Sequence, residues 1–239
     1  MIIIKLGKLI LGVLLIPACV AATAVFGREV FPLILGEVWF IAGLFAYLLL
    51  LGIFQQPIRT YIFGHELTHV IWVWLFGGRV RGFRAAAKGG EVRTTRANFL
   101  IFLSPYFFPL YSALAIGVYL LLGLFWDLPP AALNYLSFAL GFTWAFHLTL
   151  TVYVILQGQP DIWAAGRVFS FPFIYLVNVV ILALLIIFVT PDSGSRNFFP
   201  RFWERTRSDY ISIWNQGPRF CREHYQIFRD RAAGFLAGI

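Results

Sequence analysis

YIFGHELTHVIWVWLF, residues 61–76, is an apolar run that carries three ionisable side chains, His65, Glu66 and His69, within about one and a half helical turns. It falls short of the roughly 20 apolar residues that a spanning helix needs. Longer apolar runs surround it, at 9–26, 33–54, 99–125, 131–156 and 168–190, and each approaches or exceeds that length. Of the 239 residues, 60% are hydrophobic and only 13% are charged, and the mean hydropathy is +0.79. Such a balance suits lipid contact better than a water-soluble core. The expected fold class is an all-α polytopic membrane protein with about five to six apolar helical segments. It implies an integral, multi-pass location with the lipid bilayer as the chain's partner.

The net charge of +8 comes mainly from a basic loop (Arg79, Arg81, Arg84, Lys88, Arg93, Arg96) and from an arginine-rich tail after Thr190. On a membrane protein such charges speak to anionic lipid and topology, and no nucleic-acid motif accompanies them. Cys19 and Cys221 stand at opposite ends of the chain without a spacing pattern, so neither a disulfide framework nor a thiolate metal site is expected. The first apolar run follows Lys5 and Lys8, as in a signal peptide, but Pro17 is awkward there and the rest of the chain is membrane-embedded. A retained first helix is expected.

Between the motif run and Phe99, the basic loop is bounded by Gly77-Gly78 and punctuated by Gly89-Gly90. Its short alternations, Arg79-Val80-Arg81 and Glu91-Val92-Arg93-Thr94, predict a short β-hairpin after the motif helix, at the membrane surface. If Lys5, Lys8 and this loop lie on the same, cytoplasmic side, an even number of crossings separates them, and 61–76 cannot be an independent span. Pro57 is where the chain can break before it. The expected organisation is a membrane-embedded domain, 1–190, followed by a tail, 191–239. In the tail, aromatics alternate with arginines as in amphipathic helices lying at the interface, and Gly217-Pro218 divides it.

In His65-Glu66-Leu67-Thr68-His69 the two histidines are four residues apart, so a helix puts both imidazoles on one face, close enough to bind one metal. Imidazole nitrogen suits zinc (Zn2+). Glu66 is offset by one residue step and can reach a water activated by the metal without being a ligand, which makes it the candidate general base. Ionisable groups in an apolar segment are costly and tend to mark function.

A catalytic zinc usually has three protein ligands. The acidic candidates before the tail are Glu29, Glu37, Glu91, Asp127 and Asp161. Asp161 is the best placed, because Gly158 and Pro160 interrupt a hydrophobic segment beside it and let unwound backbone line a cavity at membrane depth. His147 lies 14 residues earlier, about 21 Å along continuous helix and too far for the same metal. It is expected to be a buried polar group bonded to a threonine or a backbone carbonyl. Pro105 and Pro109 are expected to bend their helix.

Phe63-Gly64-His65-Glu66-Leu67-Thr68-His69, then Gly77-Gly78, then Pro160-Asp161, resembles the site-2 protease family of intramembrane zinc metalloproteases, over about residues 60–170. The stretches Asn98–Pro109 and His147–Asp161 are also similar to compact bacterial sequences grouped as uncharacterised metallopeptidases. The resemblance implies that His65, His69 and Asp161 hold zinc, that Glu66 activates water, and that residues 79–93 form the strands that follow the motif helix. It implies hydrolysis of peptide bonds in or near transmembrane segments of membrane-protein substrates, in the bacterial cytoplasmic membrane. The chain departs from the family in having Thr68 where glycine is usual, Gln159-Pro160 before the aspartate and Ile162 after it, and no PDZ-like insert. Substrate selection would fall to a regulatory membrane partner or to the tail. The alternative is a non-catalytic membrane scaffold, which has no use for a carboxylate between two ligands, or a metal-binding transporter, which is expected to show additional polar residues on several helices.

Overall fold

The computed structural model describes residues 2–54, 57–86, 89–190 and 197–216. It is mostly helical. In chain order it has α1 (Ile2–Glu29), α2 (Phe31–Gly36), α3 (Val38–Ile53), α4 (Ile58–Leu75), β1 (Val80–Ala86), β2 (Gly89–Thr94), α5 (Phe99–Phe107), α6 (Leu110–Phe125), α7 (Ala131–Leu156), α8 (Pro160–Ala165) and α9 (Arg167–Val189). A further helical stretch covers 198–216, and the expected break at Gly217-Pro218 lies outside the described residues.

Among the described residues, three helical segments are long and apolar enough to cross a membrane, namely Lys5–Gly36, α7 and α9, and a fourth if α5 and α6 together count as one bent span. The expected count of five to six apolar segments is not confirmed as spans of full length, for two physical reasons. The apolar run 99–125 is not one helix: α5 and α6 meet at an angle of 74°. Pro109 has no N–H to continue the ladder and biases Phe108 out of helical space, to φ −94° and ψ 106°. The run 33–54 is interrupted at Glu37, which leaves α3 only 16 residues long. Large apolar side chains such as Leu49, Leu121, Leu124 and Phe125 stand exposed on the outside of the bundle, as lipid-facing positions do.

The direction of each helix follows from its contacts. Lys8 Nζ donates to Ala164 O at 3.2 Å, Cys19 Sγ donates to Pro172 O at 3.3 Å and Thr23 shares a hydrogen bond with Tyr175 at 2.6 Å. Helices α1 and α9 therefore run parallel. Val30 and Val189 meet at the far end, in a core with Phe40, Leu140, Ile186 and Phe198. Helices α3 and α7 also run parallel, in the opposite sense. Glu37 accepts from Ser137 at 3.2 Å near their starts, and Thr149 donates to Tyr47 at 3.3 Å further along.

Close approach is what lets α3 and α7 pack: a Cβ on Gly43 would meet the Phe138 carbonyl, and one on Gly141 would meet the Phe40 carbonyl. Small residues permit such contact where lipid supplies no hydrophobic drive. The stretch 198–216 turns back along α1, where Arg201 pairs with Glu29 and Tyr210 Oη donates to the Leu14 carbonyl.

At the near end a second core, built around Leu103, Tyr106, Phe146 and Leu150, surrounds α4 and α5. The polypeptide runs the length of the bundle twice, through α1 and back through α3, before α4 begins. Phe99, at the start of α5, packs against Phe169 and Phe173 near the start of α9, so the chain from α4 through the hairpin begins and ends at one end of the bundle. Lys8 and Arg167 lie at that end as well. The predicted hairpin forms, antiparallel, with Arg84 opposite Glu91 and Ala86 opposite Gly89.

Candidate metal centre

Each element delivers one part of the site. Helix α4 carries His65, Glu66 and His69, all buried. Helix α5 starts where the Asn98 side chain accepts from Ile101 N at 2.8 Å, which satisfies one of the orphan N–H groups of its first turn. It runs back along α4 and brings the Ile101 carbonyl and Tyr106 to the histidines. Asp161 arrives on α8. The chain leaves α7 through Gly158, at a φ of 80° that favours glycine, and re-enters a short helix with Pro160 in its first turn.

The ligand atoms of His65, His69 and Asp161 all lie within 4.8 Å of one another. Oδ2 of Asp161 is 3.6 Å from Nε2 of His65 and 3.4 Å from Nε2 of His69. Nδ1 of His69 is 2.7 Å from the Ile101 carbonyl oxygen. A carbonyl only accepts, so Nδ1 carries the proton and, in the neutral ring, Nε2 turns a lone pair toward Asp161. Tyr106 Oη donates to the same Oδ2 at 3.2 Å, which orients the carboxylate. Lone pairs converging on one point repel unless a proton or a cation lies between them, and two imidazoles with a carboxylate are a donor set that can hold a metal ion. The anchoring of a ligand histidine through its second nitrogen is the usual support for such a site.

Glu66 lines a cavity of about 620 Å³ together with His65, His69, Asp161 and the start of β2. The hairpin lies directly on it. A Cβ on Gly90 would run into the Glu66 carboxylate, so a side chain there would have to displace that carboxylate or the strand. Gln157 and Gln159, at the break between α7 and α8, also line the cavity.

Of the acidic candidates, Asp161 alone joins the histidines among the described residues. Glu29 pairs with Arg201 and Glu37 accepts from Ser137, while Glu91 pairs with Arg93 at 3.3 Å on the exposed hairpin. His147 is buried and stands outside the group, with Nε2 3.3 Å from Asn178 Oδ1. Its partner is therefore a side-chain amide rather than the threonine or carbonyl expected. Sequence reasoning missed Tyr106, Asn178, Gly90 and the Ile101 carbonyl. The first two carried a usable signal, a polar tip in the middle of an apolar helix, whereas a carbonyl and a close approach leave none.

No family model, curated protein or solved structure matches the chain.

Proposed function

We propose that this protein is an intramembrane zinc metalloprotease of the site-2 protease type, hydrolysing peptide bonds in or near transmembrane segments of membrane-protein substrates. The observation that carries this reading is the meeting of His65, His69 and Asp161 beside Glu66, on a cavity within a bundle whose outer surface is apolar. His65, His69 and Asp161 would hold the ion, and the Ile101 carbonyl and the Tyr106 hydroxyl orient two of those three ligands. Zinc, when bound, supplies the Lewis acidity that polarises a carbonyl and makes water acidic.

The chain's own chemistry rests on Glu66. Its carboxylate takes a proton from the attacking water and hands it to the leaving amine, so one group serves as base and then as acid. A helical substrate hides its scissile bond in hydrogen bonds and has to unwind. Strand β2 is paired on one side with β1 and lines the cavity with residues 89–92, so an unwound segment added to its free edge lies over Glu66. The basic residues at the site end support an orientation with this mouth toward the cytoplasm.

The buried carboxylate between the histidines favours catalysis over a scaffold or a transporter. The test is Glu66→Gln in a reconstituted cleavage assay. The variant is expected to keep its metal and to lose at least about 100-fold in rate, the order of a general-base contribution. A variant that cleaves as fast as the parent removes the proteolytic reading.

A further inference from the structure

A second, much smaller cavity lies behind the metal centre, between α4, α6 and α7. Its volume is about 20 Å³, and His65, Thr68, Tyr111 and His147 are among its lining residues. That is room for one water. His65 lines both cavities. Its Nε2 faces Asp161, and its Nδ1, on the other side of the ring, is buried and has no hydrogen-bond partner among the described residues. A neutral imidazole that gives its Nε2 lone pair to a metal carries its proton on Nδ1, and a buried N–H requires an acceptor. For His69 the acceptor is the Ile101 carbonyl. His65 has no such carbonyl.

The protonation of His147 follows from its neighbours. Asn178 Nδ2 donates to the Tyr106 carbonyl at 2.9 Å and to the Ile174 carbonyl at 2.8 Å, which uses both amide hydrogens. The atom that faces His147 is then Oδ1, an acceptor only, so Nε2 of His147 carries the proton across the 3.3 Å contact. The neutral ring is left with an acceptor at Nδ1. The cavity is thus lined by one histidine that needs an acceptor and another that offers one. Thr68 Oγ1, whose own proton goes to the Gly64 carbonyl at 2.7 Å, provides a third polar group with lone pairs to spare.

We propose that one ordered water in this cavity accepts from His65 Nδ1 and donates to His147 Nδ1 and Thr68 Oγ1, making His147 a positioning residue for a metal ligand it never touches. Three hydrogen bonds are what a buried water typically makes. Through them the chain His65–water–His147–Asn178 fixes the tautomer and the ring orientation of His65, as Ile101 does for His69. The inference rests on the metal-site reading.

The experiment uses the full chain in detergent and measures zinc affinity by competition with a chromophoric chelator. His147→Leu is expected to bind zinc about 10 to 100 times more weakly than the parent, the usual effect of removing a ligand's hydrogen-bond partner. His147→Asn, which returns a polar amide close to the position of Nδ1, is expected to recover most of that loss. Nitrogen-15 histidine spectra of the zinc-loaded protein give a readout that a merely structural role would not move. His65 should show a protonated Nδ1 in the parent, shielded from exchange, and should lose that protection in His147→Leu while His69 is unchanged. A high-resolution structure of the parent should place a water within about 3.2 Å of both ring nitrogens, a result that does not depend on any variant folding. A parent that binds no zinc overturns the metal centre and this inference together. A zinc-binding parent with unaltered affinity in His147→Leu, or with no water between the rings, overturns this inference alone.

Discussion

Nε2 of His69 and Oδ2 of Asp161 face each other at 3.4 Å, the histidine on α4 and the aspartate on the six-residue α8. Both are acceptors, because His69 Nδ1–H donates to the Ile101 carbonyl, which leaves Nε2 a lone pair, and the Asp161 carboxylate accepts from the Tyr106 hydroxyl. That polarity turns three nearby side chains into a site for a cation, and it makes the supporting groups testable.

Tyr106 is fully buried and its ring packs edge-on to His65, 5.1 Å between centroids. Tyr106→Phe keeps that packing and deletes only the hydroxyl that orients Asp161. Zinc affinity is expected to fall about tenfold while thermal stability of the metal-free protein changes little, as measured by chelator competition and by melting in detergent. Unaltered affinity would mean that the hydroxyl plays no part in orienting the carboxylate.

Gly90 touches Glu66 so closely that any side chain there must move either the strand or the carboxylate. Gly90→Val is therefore expected to retain zinc and to lose about 100-fold in peptide hydrolysis, the order of cost of a misplacement near 1 Å. Metal content and cleavage rate, measured on the same preparation, check it. Full activity would show that the hairpin does not rest on Glu66 during turnover.

Gly43 and Gly141 bring α3 and α7 into backbone contact far from the metal. Gly43→Leu forces a side chain against the Phe138 carbonyl and is expected to cost about 1–3 kcal/mol, as overpacking does. Unfolding in mild detergent measures it. A variant as stable as the parent would mean that the two helices separate more readily than their packing indicates.

Much of this architecture was legible in the residues. The runs 131–156 and 168–190 form α7 and α9 almost to the residue, because uninterrupted apolar length leaves a chain few alternatives in lipid. The alternation around Val80 and Val92 was enough for a hairpin. His65, Glu66 and His69 could be read from helical spacing alone, since four residues make about one turn. Asp161 was identified from its place in a broken segment, and its meeting with the histidines depends on how α8 folds back against α5.

What escaped reading was governed by tertiary geometry. The 74° bend at Phe108–Pro109 turned one hydrophobic run into two helices. A bend at Pro109 is expected from the sequence, but hydropathy does not register one sharp enough to split the run. The partner of His147 is on α9, where Asn178 is a lone amide among apolar residues and only the packing of α9 against α5 and α7 gives it meaning. The role of Gly90 depends on the hairpin folding over α4, a contact that spacing along the chain does not encode.

The most direct test of the central claim is X-ray absorption at the zinc edge on the purified full chain, together with metal content and with Asp161→Ala as the comparison. The account predicts one zinc per chain in a shell of two imidazole nitrogens and a carboxylate oxygen, with the affinity of Asp161→Ala reduced by more than about 100-fold, beyond the effect of losing a mere supporting group. A chain that binds no stoichiometric zinc, or a zinc shell and affinity that Asp161→Ala leaves unchanged, would contradict it.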